Sequence, residues 1–164
     1  MGTLRRLTTD DIARVLEIQA AAYAPHLLET AEVFAAKITA HPAYCLGHET
    51  AEGKLSGYVV AMAMASSESV GLHETDPRPN VGNGAAPVLY IHDMAVDPAA
   101  HESGAGSAML RELESTGRTK GQTVIELVAI ESAVSFWERH GFTATGDDVY
   151  AGYGPGARKM RRAV

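Results

Sequence analysis

Two stretches of the 164-residue chain bring together residue types able to do chemistry. The first is Val88-Leu89-Tyr90-Ile91-His92-Asp93-Met94-Ala95-Val96, an apolar run with an imidazole and a carboxyl side by side. Imidazole in water titrates near pH 6.5, so His92 is a candidate proton acceptor at neutrality. In a regular strand Tyr90 shares the face of His92 and can line the same cleft. Asp93, the rival base, then lies on the opposite face. The plainer alternative is a hydrogen-bonded sheet histidine. The second stretch is Asp97-Pro98-Ala99-Ala100-His101-Glu102-Ser103-Gly104-Ala105-Gly106-Ser107. Gly104 and Gly106 permit backbone geometries closed to other residues and let a ligand approach closely. A helix opening there offers unpaired N–H groups and a positive dipole end, an anion site suited to a pyrophosphate. Two other phosphate loops are excluded, because Gly106 is followed by Ser107-Ala108 rather than Lys-Ser/Thr, and position 109 is Met rather than Gly. A tight strand-to-helix turn is the alternative.

Holding these residues in place takes a mixed chain. Thr3 to Leu7 alternates as a short strand, and Thr8-Thr9-Asp10-Asp11 caps a helix carrying Ile12, Val15, Leu16 and Ile18 that Pro25 closes. A second helix covers Thr30 to Ala40, with Val33, Phe34 and Ile38 inward. Tyr44 to Glu49 and Leu55 to Ala65 read as strands around a Gly-containing turn. Residues 66–87 lack any periodic apolar pattern and read as a long loop, on the substrate side or as a plain insertion. After the strand Val88 to Val96 come a helix over Ser107 to Thr116, a strand over Thr123 to Ile130 and a helix over Ser132 to His140 ended by Gly141. Phe142 to Gly146 and Ala157 to Ala163 close the chain as strands. The order β-α-α-β-β-β-α-β-α-β-β implies an α/β fold whose sheet has antiparallel and parallel parts.

Composition narrows the function classes. With 46% hydrophobic and 21% charged residues the chain reads as one globular domain, 1–164, rather than a disordered one. A net charge of -6 leaves no basic surplus for nucleic acid. No apolar run nears the ~20 residues of a membrane span, and no apolar core follows Arg5-Arg6 as in a secretory signal. Met1-Gly2 invites acylation, but Arg6 stands where that motif has Ser or Thr. The single Cys45 excludes an intrachain disulfide, suits the cytoplasm and reads as a small core residue. No His pair has helical metal-binding spacing, so no metal is expected. Arg158, Lys159, Arg161 and Arg162 read as a solvated or partner-facing strand, with a CoA phosphate contact as the alternative, and His26 and Glu29 as surface residues that could alternatively line a pocket.

Three motifs together resemble the GNAT acetyltransferase superfamily. Ala95-Val96-Asp97-Pro98 followed by His101-x-x-Gly104-x-Gly106 is similar to its acetyl-CoA loop. Ala133 to Phe142 is similar to its Ala-x-x-Phe/Leu-Tyr-x-x-x-Gly-Phe helix end, and Tyr153-Gly154-Pro155-Gly156-Ala157-Arg158-Lys159-Met160 to a closing motif of many bacterial members. The resemblance implies a single-domain mixed sheet, splayed between its fourth and fifth strands and flanked by helices. It implies that Met94, Ala95 and Val96 hold the pantetheine arm of acetyl-CoA, the co-substrate. His101, Glu102, Ser103, Gly104, Ala105, Gly106 and Ser107 would hold the pyrophosphate, and Ser132, Phe136 and Trp137 would flank the arm. A branch of the family that acetylates serotonin has a catalytic His at the place matching His92, which is thus the expected base. Tyr153, with Tyr150 as alternative, is the expected acid. His101 replaces the family's Arg or Gln, and Trp137 replaces a Tyr that often serves as acid, a role indole cannot take. The implied activity is direct acetyl transfer to a small-molecule amine, or else to a protein amine, with a homodimer left open. A non-catalytic acyl-CoA-binding module and another nucleotide-binding α/β protein are the competing classes.

Overall fold

The fourth strand is the axis of the molecule. In the computed structural model, which describes residues 2–65, 72–74, 86–146 and 152–164, seven strands form one sheet in the order β1-β2-β3-β4-β5-β7-β6. The strands are β1 (Thr3–Arg6), β2 (Cys45–Glu49), β3 (Leu55–Met64), β4 (Val88–Val96), β5 (Val124–Ala129), β6 (Thr143–Ala144) and β7 (Arg158–Ala163). The helices are α1 (Ile12–Ala22), α2 (Ala31–Ala40), α3 (Ala105–Lys120) and α4 (Val134–Arg139). The element order is the one read from the sequence. Most of the 66–87 loop, and Tyr150, lie outside the described residues. No helix among the described residues is long and apolar enough to cross a membrane.

All neighbouring strands pair antiparallel except β4 and β5, which run parallel from Val88↔Val124 to Ile91↔Leu127. Beyond Ile91 the two strands no longer pair, although β4 runs on to Val96 and β5 to Ala129. The sheet therefore splays at its centre. The cause lies on the other edge of β4. Against β3, Asp93 pairs with Val60 and Ile91 with Ala61, so His92 is an extra residue with no partner. Such a bulge bends the strand and ends regular pairing.

Two layers of helix cover the sheet. Val15, Ile18, Phe34 and Ile38 from α1 and α2 pack with Tyr58, Val60 and Ala95. Met109, Leu110 and Leu113 from α3, with Trp137 from α4, pack on Leu89, Ile91 and Leu127. Each of these fully buried large aliphatics contributes about 1.5–3 kcal/mol. Helix α3 starts two residues before the expected Ser107 and runs four past Thr116, because Gly104 and Gly121, both left-handed, set its ends. The expected strand over Phe142 to Gly146 shrinks to two residues, since Phe142 turns inward onto Trp137. Cys45 is a core residue, as read, with no exposed surface and its thiol pushed up by burial to about 12. The basic residues of β7 meet acids: Lys159 and Arg161 approach Glu126 at 3.6 and 4.0 Å, and Arg162 pairs with Glu114.

Candidate active site

The splay opens a cavity of about 290 Å³ between β4 and β5. One end is walled by Val96, Gly106, Ser132, Phe136 and Trp137, and the other by Tyr23, Leu27, Glu29, Leu72 and Tyr153. His92, Asp93 and Met94 lie along it.

The bulge decides which side chains meet. Before it, Tyr90 packs with Met62 and Met64, and Leu89 and Ile91 with α3. After it, Ala95 packs on the α1/α2 side while Met94 and Val96 turn toward α3. The alternation has slipped by one residue, as a single insertion in a period of two requires. Asp93, expected on the face opposite His92, therefore lies on the same side. Its carboxylate accepts from the Tyr58 hydroxyl at 2.9 Å, while His92 reaches Glu29 on the neighbouring α1–α2 connection. Tyr90 is buried and is not part of the cavity wall, contrary to expectation.

His92 Nε2 lies 3.0 Å from Glu29 Oε1, both side chains being 1% exposed. Burial alone would raise the Glu29 carboxyl. The hydrogen bond and charge of His92, with the His73 backbone N–H at 2.8 Å, outweigh it and hold the group below its usual value. An ionised carboxylate only accepts, so Nε2 carries the hydrogen. Nδ1 is then left as a buried atom without a partner among the described residues. A buried polar atom in that state costs about 1–3 kcal/mol, which a ligand can relieve.

Glu29 itself is held rigidly. The buried Gln19 of α1 donates from Nε2 to the Glu29 carbonyl at 2.6 Å and accepts from the Glu29 N–H at 2.9 Å. Both ends of one amide thus clamp one residue. The surface position expected for Glu29 is overturned, for it is 4% exposed, whereas His26 is exposed as expected. The signal missed was Gln19, a polar residue on the buried stripe of Val15 and Ile18, which needs a buried polar partner. Tyr23 was also missed. It closes α1, and its hydroxyl donates to the Met94 carbonyl at the split.

Asp93 titrates unusually. Burial drives its carboxyl upward, the nearby His92, Tyr58 and Tyr23 partly oppose this, and the outcome is about 6. Tyr153 is buried, and burial first, then nearby acidic groups, push its phenol well above 10. It stays protonated at any physiological pH. No Lys or Arg lines the cavity among the described residues.

The loop expected to hold the pyrophosphate adjoins the other end. Residues Pro98–Ser103 form a short 3₁₀ turn that ends at Gly104, whose φ of 75° and ψ of 11° lie in the left-handed region. Ala105, Gly106 and Ser107 then form the first turn of α3. Gly106 abuts Phe136, whose ring would lie 3.3 Å from an added Cβ. The Ser107 hydroxyl meets His140 Nε2 at 2.9 Å, joining α3 to α4. Of the residues expected to bind a cofactor, Met94, Ala95, Val96, Gly106, Ser132, Phe136 and Trp137 share the cavity wall. His101, Glu102, Ser103, Gly104, Ala105 and Ser107 stand beside it in the loop and first turn. The side chains of His101 and Glu102 face solvent at 71% and 90% exposure, so their main chain is what a ligand at the helix end would meet.

Comparison with known proteins identifies the family and the fold. The model of the acetyltransferase (GNAT) family matches residues 12–142. A glucosamine 6-phosphate N-acetyltransferase of Trypanosoma brucei brucei is 29% identical over 115 residues, covering 60% of this chain and 78% of that protein. Among solved structures, Ard1 from Thermoplasma volcanium superposes with a TM-score of 0.77 at 20% identity, over 99% of this chain and 97% of that one. Arabidopsis thaliana Naa50, in complex with the bisubstrate analogue CoA-Ac-MVNAL, gives 0.75 at 14% identity, over 99% of each chain. The structural likenesses speak for the fold. The family match spans most of the chain, and by it this protein belongs to the GNAT acetyltransferase family and is an N-acetyltransferase.

Proposed function

We propose that the protein moves an acetyl group from acetyl-CoA directly to the amine of a small molecule in a reducing, cytoplasmic compartment. The observation that carries this reading is the His92–Glu29 pair, buried in the wall of a cavity at the splay, with Nδ1 unspent. The pyrophosphate would sit against the amides that open α3, and the pantetheine would follow the unpaired edge of β4 from Val96 to Met94. An attacking amine must be neutral, and His92 Nδ1 accepts its proton. Glu29 then stabilises the imidazolium, having already fixed which nitrogen is bare. The amine nitrogen bonds to the thioester carbon, the C–S bond breaks with its electron pair leaving on sulfur, and the second proton of the nitrogen passes to that thiolate, giving a neutral amide and CoA thiol. Trp137 cannot supply a proton to that sulfur, and Tyr153 takes the place beside it. A thiolate with a thiol pKa near 8.5 is a weaker base than a phenolate raised above 10, so full transfer from Tyr153 runs uphill. Its contribution is a hydrogen bond to the leaving sulfur.

Amine-dependent release of CoA thiol, with the acetylated amine identified by mass, tests the reaction. The buried Cys45 keeps the thiol background low. Tight acetyl-CoA binding without release for any amine would make the chain a binding module instead. The Tyr153→Phe variant loses about tenfold in kcat, the modest effect expected when one hydrogen bond to a good leaving group is removed. A loss beyond about 10³-fold would mean that Tyr153 transfers the proton outright.

A further inference from the structure

The acceptor end of the cavity has two kinds of wall. Ala22, Tyr23, Leu27 and Leu72 supply apolar surface, and Glu29, His92 and Asp93 supply the polar groups. Each acid is served by neutral donors or by histidine. Asp93 takes the Tyr58 hydroxyl at 2.9 Å, with that of Tyr23 close by. Glu29 takes His92 at 3.0 Å, with the His73 N–H at 2.8 Å and its imidazole at 3.3 Å. The buried ammonium of Lys37 donates to the Glu74 carbonyl and is not part of the wall. Beside the two carboxylates stands the unpartnered Nδ1 of His92, a buried atom suited to one N–H of a ligand.

We infer that the acceptor is a small unphosphorylated primary amine, one ammonium on an apolar body, and that Glu29 and Asp93 turn anionic amines away. This rests on the reading above, in which the cavity delivers acetyl groups to an amine. An arriving ammonium meets carboxylates that no Lys or Arg of the described wall neutralises, and it supplies the missing counter-charge. Its body lies against Leu27 and Leu72 and loses contact with water there. A phosphate would lie among carboxylates with no Lys or Arg of the described wall to receive it. At about 290 Å³, shared with the thioester, the cavity is at the low end for ligand pockets, which favours a small acceptor. The sugar-phosphate specificity named for the trypanosomal relative therefore does not carry over.

The test compares four amines with acetyl-CoA: 2-phenylethylamine, glucosamine 6-phosphate, spermidine and a pentapeptide with a free N-terminus. Calorimetry against the CoA-loaded protein measures binding of each amine apart from transfer. The expected result is a kcat/KM for 2-phenylethylamine at least about 100-fold above that for glucosamine 6-phosphate and at least about tenfold above the other two. Turnover that favours the sugar phosphate, the polyamine or the peptide overturns the inference and leaves transfer standing. Selective binding of 2-phenylethylamine without turnover sinks the transfer reading and leaves the description of the pocket intact. Failure of 2-phenylethylamine to bind the CoA-loaded protein overturns the inference directly.

Discussion

His92→Gln lowers kcat by about 10²- to 10³-fold and leaves the KM for acetyl-CoA within about threefold. Glutamine can still donate to the Glu29 carboxylate, so the buried acid keeps a partner and the fold is retained. What disappears is a nitrogen able to take the amine's proton. The deficit has a characteristic pH dependence. Without a base the reaction waits for free amine, whose fraction rises tenfold per pH unit below the amine's own pKa. The variant therefore lags most on the acid side and recovers as the medium becomes alkaline. Initial rates from pH 6 to 10, with saturating acetyl-CoA, would show this. A variant running parallel to the parent at every pH would remove His92 from proton transfer. Asp93, which shares the cavity and titrates near 6, would then be the base, and Asp93→Asn would carry the loss instead.

The comparison between those two residues shows where reading a sequence stops. The run from Val88 to Val96 gives both ends of β4 correctly, because nine apolar-rich residues ended by Asp97-Pro98 leave little choice. Alternation along that run then assigns faces, and there it fails. The bulge at His92 arises from pairing with β3, and neither His92 nor Asp93 carries a local mark of it. One extra residue moves Asp93 to the same side as His92 and ends the β4–β5 ladder, so the same event builds the cavity and populates it. Glu29 illustrates a second limit. Its neighbours Leu28 and Thr30 give no sign of burial, and what buries it is a clamp from ten residues earlier. The turn from Asp97 to Gly106 was legible as a strand-to-helix turn for the opposite reason. Its glycines, its Pro and its helix cap act locally, so spacing alone specifies the shape.

That local character makes Gly104 the position for the second large effect. Gly104→Val raises the KM and Kd for acetyl-CoA at least about tenfold, while kcat at saturation falls far less. A β-branched residue held at φ 75° is strained by about 1–3 kcal/mol, and the loop relieves this by leaving the left-handed region. The amides that open α3 then no longer converge. The added side chain also reaches outward, since nothing of the protein lies within 4 Å of an ideal Cβ there. It would occupy space that a pyrophosphate needs, without disturbing the core. Gly106 offers no such clean test, because a Cβ there meets Phe136 at 3.3 Å and would shift the cavity wall. Gly104→Asn separates the two causes, for asparagine tolerates the left-handed region better than valine. If backbone geometry dominates, Asn retains most of the affinity; if close approach dominates, Asn loses nearly as much as Val. Calorimetric titration with acetyl-CoA, on variants shown to be folded by circular dichroism, decides between them. A folded Val variant that binds as tightly as the parent would show that acetyl-CoA does not use this loop.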